Sequence, residues 1–318
     1  MRAPPGRNCP ISYRYGARSL AGPAALAAET LWVAGGLYGN CEALDRIFEL
    51  YAEEPGDKQL AFNGDFHWFD VAPDDFRCVN EQVLGCVATR GNVETELSRP
   101  DAQAGCGCAY PEWVGDATVE HSNRIIERLR ATAVRLPQAL EALAALPMTL
   151  VAQVGGERVA IVHGDADSLA GWAFSQEALT APESRNAARE AFAQAGVSVF
   201  ACSHTCLPVL QAFDGRCAIL NNGAAGMPNF RGTHYGLASR ISVRPGPRAL
   251  YRTRLGALYL EAVPVDYDQR AWLRRFLDSW PPGSAAHASY YARMVEGPRY
   301  ETAAALRAEP PQEGREAA

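Results

Sequence analysis

From Thr30 onward the apolar and polar positions fall into short blocks that predict an α/β chain. Leu31-Trp32-Val33-Ala34 is a continuous apolar run of strand length, ended by two glycines. Leu44, Ile47, Phe48 and Tyr51 follow at helical spacing, which predicts a helix over about 42–51. Leu60-Ala61-Phe62 reads as a second strand, 74–83 as a helix and 84–88 as a third strand. Two further helices are expected over about 119–134 and 137–146. Then the period changes. Residues 149–154 and 158–162 flank Gly155-Gly156 as a hairpin, and 209–213 and 217–220 flank Asp214-Gly215 as another. A helix near 185–195 precedes a strand over 197–202, and short strands continue to about Pro264. Trp272, Leu273, Phe276, Leu277 and Trp280 repeat at helical spacing, Pro281-Pro282-Gly283 breaks the pattern, and a last helix spans about 285–295. Early alternation followed by strand dominance suits two packed sheets with helices outside.

Residues 1–28 carry no readable period and form an irregular, proline-containing lead-in. The expected division is therefore a lead-in over 1–28, a main domain over 29–264, and a helical extension over 265–318 whose last ten or so residues are polar and frayed. At 318 residues, 48% hydrophobic and 21% charged, the chain has an ordinary globular composition and can bury a substantial core. A formal net charge of −6 argues against extended nucleic acid as a partner, because that affinity rests on neutralising many phosphates. No apolar run reaches membrane-span length, and no signal-peptide core follows the N-terminus, so no membrane partner is expected. Nine cysteines, an odd number scattered through a long chain, read as reduced thiols in a cytoplasmic protein. A homo-oligomer is compatible with all of these features.

Five short segments stand just after strand-like runs. They are Gly35-Gly36-Leu37-Tyr38-Gly39-Asn40, Gly64-Asp65, Gly91-Asn92, Val162-His163-Gly164-Asp165 and Ser203-His204-Thr205-Cys206. Open α/β sheets place ligands beyond strand carboxyl ends, so these exits are candidate chemistry. Each residue alone has a plain explanation, since Asp and Asn are common turn residues and a single histidine is more often structural. Together, in this order, they resemble the calcineurin-like metallophosphoesterases, whose pattern runs D-x-H-G-N, G-D-x-x-D, G-N-H-[DE], a lone His and G-H-x-H. The likeness spans about 30–245 and includes Gly223 to Pro228, similar to that family's loop near the metals.

The resemblance implies a four-layer α/β/β/α sandwich and a divalent-metal phosphoesterase acting on a small phosphorylated substrate. By motif position, one ion would be held by Asp65, Asn92, His163 and His204. An aspartate oxygen, an amide oxygen and two imidazoles suit Mn, Fe or Zn. The second ion's set keeps only Asp65, because Gly36, Tyr38 and Cys206 stand where Asp, His and His are expected. One or two ions per chain are therefore implied. Tyr38 and Cys206 either rebuild that site with phenolate and thiolate or fill the space of a lost ion. Val93 replaces the family's G-N-H histidine, so His67 is a candidate replacement acid and Arg90 a candidate phosphate contact. A surface imidazole and a salt-bridged arginine are the plain alternatives. Cys106-Gly107-Cys108 has closer spacing than zinc pairs use, and reads either as thiols near the site or as a tight loop. The resemblance makes this a divergent hydrolase of a phosphate mono- or diester. The alternatives are a ligand-binding or regulatory protein without turnover, and a thiol-centred reaction.

Overall fold

The computed structural model describes residues 4–308. Its strands are β1 (Leu26–Ala28), β2 (Thr30–Ala34), β3 (Lys58–Asn63), β4 (Val87–Thr89), β5 (Thr149–Val154) and β6 (Glu157–Val162). They continue with β7 (Val199–Cys202), β8 (Val209–Phe213), β9 (Cys217–Asn221), β10 (Gly236–Ser242), β11 (Tyr251–Leu255), β12 (Leu258–Val265) and β13 (Leu306–Ala308). The helices are α1 (Cys41–Glu53), α2 (Pro73–Leu84), α3 (Asn92–Ser98) and α4 (Asp116–Ala133). They continue with α5 (Pro137–Ala145), α6 (Pro182–Ala195), α7 (Gln269–Ser279) and α8 (Ala285–Glu296).

Strand alternation explains the layering. In β2, Leu31 and Val33 point one way while Trp32 and Ala34 point the other, and all four are buried. A strand buried on both faces needs cover on both. Leu31 and Val33 join Val159, Ile161, Val199 and Ala201 between two sheets, while Trp32 and Ala34 pack under α1, α2 and α4. On the far side α6 covers Phe200 and Phe213 through Ala188 and Phe192. The result is the expected four-layer α/β/β/α sandwich.

One sheet runs β11-β12-β10-β2-β3-β4 and the other β1-β5-β6-β7-β9-β8-β13. Within the first, β2, β3 and β4 are parallel; within the second, β6 and β7 are parallel. Parallel strands end on the same side, so these five deliver their following residues to one rim of the sandwich.

Three elements differ from the sequence reading. The lead-in contributes β1, parallel to β5, and buries Tyr13 and Leu20. The third strand starts at Val87 and not at Leu84, because Val79 and Val83 extend the buried stripe of α2 to Gly85, whose N–H bonds Glu81. The chain returns after α8 to add β13 beside β8. The expected fraying of the last ten residues lies outside the described residues. No described helix is long and apolar enough to cross a membrane.

Candidate metal centre

The rim brings together the four residues expected to share one ion. Asp65 follows β3, Asn92 opens α3 after β4, His163 follows β6, and His204 stands two residues past β7. All four are at least nine-tenths buried. His163 is the hub. Its Nδ1–H donates to the Asn63 carbonyl (2.8 Å), which leaves Nε2 facing inward. Around Nε2 stand Asn92 Oδ1 at 3.1 Å, His204 Nδ1 at 3.1 Å and Asp65 Oδ2 at 3.3 Å.

Each of those neighbours is turned the same way by an outer partner. Asn92 Nδ2 donates to the Cys106 carbonyl (3.0 Å), so its amide oxygen is the inward atom. His204 Nε2–H donates to the Cys108 carbonyl (3.1 Å), so its Nδ1 lone pair points in. Four acceptors thus converge on one point. A single proton on His163 Nε2 can serve one of three acceptors well, whereas a cation serves all four. Ligand atoms about 2.1 Å from an ion at tetrahedral or octahedral angles lie about 3.0–3.4 Å apart, the spacing seen from His163 Nε2 to each of the other three. The donor set therefore fits a divalent ion. Among the described residues, Asp65, His163 and His204 are the only group of three or more His, Cys, Asp or Glu side chains close enough to share one.

The protonation states agree. Burial, reinforced by His163, pushes His204 down to about 3, so its lone pair is free at neutral pH. Burial opposes charge on Asp65 and on His163, but their mutual attraction prevails, lowering the carboxyl and raising the imidazole. Without an ion the two form a buried pair, and an entering cation displaces the shared proton.

No protein-family model matches the sequence, and no curated protein matches it. Solved structures do. The chain aligns over 86% of its length with all of a hypothetical protein from Pyrococcus horikoshii OT3, at TM-score 0.57 and 15% identity. It aligns over 85% with all of a metallophosphoesterase from Sphaerobacter thermophilus, at TM-score 0.55 and 17% identity. The fold is that of the calcineurin-like metallophosphoesterases.

Within the metallophosphoesterase fold, the altered half of the rim is filled. Gly36 has φ 65°, and a Cβ there would meet the Tyr38 ring and hydroxyl at 2.9–3.0 Å. The Tyr38 ring thus lies against the position where the resemblance expects a carboxylate, and its hydroxyl meets Cys206 Sγ at 2.9 Å. Burial raises both the Tyr38 hydroxyl and the Cys206 thiol, which keeps both protonated. Asn40, the retained Asn of that motif, caps α1 through Ala43 N–H and ties down the Gly226 carbonyl.

His67 and Arg90 do not reach the ion site. The buried His67 ring stacks on Phe76, with Nδ1 at 2.6 Å from Asp70 and Nε2 at 3.3 Å from Asn80. Arg90 donates to the Leu146 carbonyl (2.8 Å) at the end of α5. Neither borders the cavity over Asp65, Asn92 and His204.

The residue that sequence reasoning missed is Glu94. It is fully buried and accepts four backbone N–H groups, from Asp65 and Gly91 (both 2.8 Å), Phe66 (3.1 Å) and His67 (3.3 Å). Burial and the nearby Asp65 raise its pKa, yet four donors occupy its lone pairs and hold it as a carboxylate. It fixes Asp65 in a left-handed conformation, φ 52°, that a non-glycine residue adopts at a cost of about 1–2 kcal/mol. Gly91 is needed beside it, since a Cβ would stand 2.3 Å from Asp65 Oδ1. The available signal was its place at the [DE] position of the G-N-H-[DE] pattern.

The cavity over the ligands is ≈ 30 Å³, room for a water or two. Trp68, Tyr110, Trp172 and Tyr290 wall it, and no lysine or arginine lines it. Tyr290 comes from α8, whose Arg293 donates to the Cys206 carbonyl (2.7 Å). Larger cavities, ≈ 260 Å³ beside Trp32 and Arg240 and ≈ 400 Å³ beside Arg77 and Arg135, lie away from the rim and its ligands.

Proposed function

We propose that this chain is a metal-dependent phosphoesterase with one firmly held divalent ion, acting on a small phosphodiester. The observation that carries this reading is the convergence of four acceptor atoms from Asp65, Asn92, His163 and His204 on one point. A divalent ion bound there supplies Lewis-acid polarisation of a phosphoryl group. The residues do the rest. Asn63, Cys106 and Cys108 carbonyls set the orientation of three ligands, Glu94 sets the fourth, and the aromatic walls exclude water. In this reading residues 29–264 form the hydrolase core and the segment from 265 its cover.

Charge selects the diester. A phosphomonoester dianion brought against a cavity lined by no lysine or arginine is left poorly compensated, whereas a diester carries one charge and lays an apolar substituent on half-buried Trp172 or Tyr110. Val93 offers no proton, so a substrate with a good leaving group is favoured. Mn-loaded protein is expected to hydrolyse bis(p-nitrophenyl) phosphate faster than p-nitrophenyl phosphate, and His163→Ala to lose both bound metal and turnover. Unchanged metal content in His163→Ala would refute the site; faster monoester cleavage would refute the diester assignment.

The small cavity favours a second reading, in which the ion and its cover serve binding or regulation without turnover. Stoichiometric metal without hydrolysis of either ester supports that one.

A further inference from the structure

The proposed hydrolysis leaves unused two thiols in the wall of the ion site. Cys106 Sγ lies 2.7 Å from Cys108 Sγ, closer than the ~3.5 Å at which non-bonded carbon atoms meet. Closing a disulfide of about 2.05 Å requires a shift of well under 1 Å in the sulfur separation. Both residues also act through their backbones. The Cys106 carbonyl orients Asn92 and the Cys108 carbonyl orients His204, while Asn92 Nδ2 is 3.6 Å from Cys108 Sγ. The outer side of the same loop is clamped. Cys106 N–H donates to Asn123, Arg130 donates to the Gly105 carbonyl, and Tyr110 N–H donates to the Gly6 carbonyl. A change between the two sulfurs is therefore directed inward, to the metal ligands.

We propose that Cys106 and Cys108 form a peroxide-oxidised thiol pair whose disulfide weakens the ion site. The proposal rests on the metal-centre reading given above. The oxidant invoked is hydrogen peroxide, small enough for the ≈ 30 Å³ cavity that Cys108 borders. Exposure assigns the roles, because Cys108 borders the cavity and Cys106 is completely buried behind it. The Cys108 sulfur attacks one peroxide oxygen; an S–O bond forms, the O–O bond breaks, and one water leaves with the thiol proton. Cys106 then displaces the hydroxyl from that sulfenic acid; the S–S bond forms and a second water leaves. The pair gives up two electrons, and peroxide becomes two waters. Burial pushes the Cys108 thiol well above its ordinary range, so access and proximity direct this reaction, and its rate is slow.

The test uses the full chain treated with hydrogen peroxide. Peptide mapping is expected to show loss of two hydrogens from the segment holding Cys106 and Cys108, reversed by a phosphine reductant. In Cys106→Ser the chemistry is expected to stop at Cys108 sulfenic acid, trapped by dimedone as the oxidised protein is unfolded. Manganese affinity, read by competition with a chromogenic chelator, is expected to fall about 10–100-fold on oxidation, the range for disturbed outer partners of metal ligands. Oxidation of exposed Cys78 with Cys106 and Cys108 still reduced overturns the proposal, as does a disulfide that leaves manganese affinity unchanged. Reduced protein that binds no manganese overturns the metal-centre reading instead, and the peptide map then still decides the thiol chemistry.

Discussion

Glu94→Gln keeps the size and shape of the side chain and changes only what it can accept, so it isolates the carboxylate's role. In the native chain each carboxylate oxygen takes two backbone N–H groups: Asp65 and Gly91 on one, Phe66 and His67 on the other. Whichever way a glutamine amide turns, its NH₂ faces two donors. The least costly orientation sacrifices the longer pair, Phe66 at 3.1 Å and His67 at 3.3 Å. Hydrogen bonds to a charged group contribute about 1.5–3 kcal/mol each, so losing two costs about 3–6 kcal/mol, a large share of a typical 5–15 kcal/mol stability. Asp65 also loses part of what holds its left-handed backbone, so the ion site should suffer. Urea unfolding with chelator measures the first effect. Unfolding with manganese measures the second, since ligand at about 100 times Kd adds about 2.7 kcal/mol to a chain that binds it. Wild-type midpoints in both conditions would show that Glu94 does not organise this rim.

Three further outcomes are expected. Cys206→Ser should leave metal content and stability nearly unchanged, because a serine hydroxyl can keep the Tyr38 contact; loss of metal would restore Cys206 as a ligand. Truncation before Asp268 should give aggregated protein, because Trp272, Phe276 and Trp280 are buried on Phe69 and its neighbours, and truncating one such side chain costs about 3–5 kcal/mol; a monodisperse product with unchanged melting would contradict this. Burial opposes the charge on Glu54, but Arg240 at 2.6 and 2.7 Å outweighs it and holds the carboxyl below its ordinary range. That contribution is present above the ordinary glutamate value and lost as pH falls through the folded one, so Glu54→Gln should reduce the drop in urea midpoint between about pH 6 and about pH 3.5; an unaltered drop would assign acid sensitivity elsewhere.

The four converging residues were legible because each stands at a strand exit, where an apolar run gives way to glycine, Asp, Asn or His. Layering was legible too, since Leu31-Trp32-Val33-Ala34 has no polar face and must be covered twice. What stayed hidden acts through backbone or direction. Cys106 and Cys108 orient ligands by their carbonyls, which any residue type would supply, and only their thiols drew notice. Glu94 looks like any glutamate in the first turn of a helix apart from its place in the G-N-H-[DE] pattern, which says nothing of the four N–H groups it gathers. His67 sits two residues from a ligand, yet the chain turns its ring toward Asp70 and Asn80, and only the fold shows that. β1 and β13 are three residues each, too short for any period to reveal.

The late position of α8 and β13 bears on how an ion would reach the proposed site. The four candidate ligands lie between Asp65 and His204, whereas Tyr290 and the strand at Leu306–Ala308 emerge from the ribosome after them. At about 5–20 residues per second, synthesis leaves an interval in which every ligand has emerged and the roof has not. Loading during biogenesis then meets a rim not yet walled by Tyr290, whereas exchange afterwards passes the completed wall. Manganese supplied during refolding should therefore be taken up much faster than manganese supplied after it. Equal uptake in the two orders would mean that the roof is no barrier.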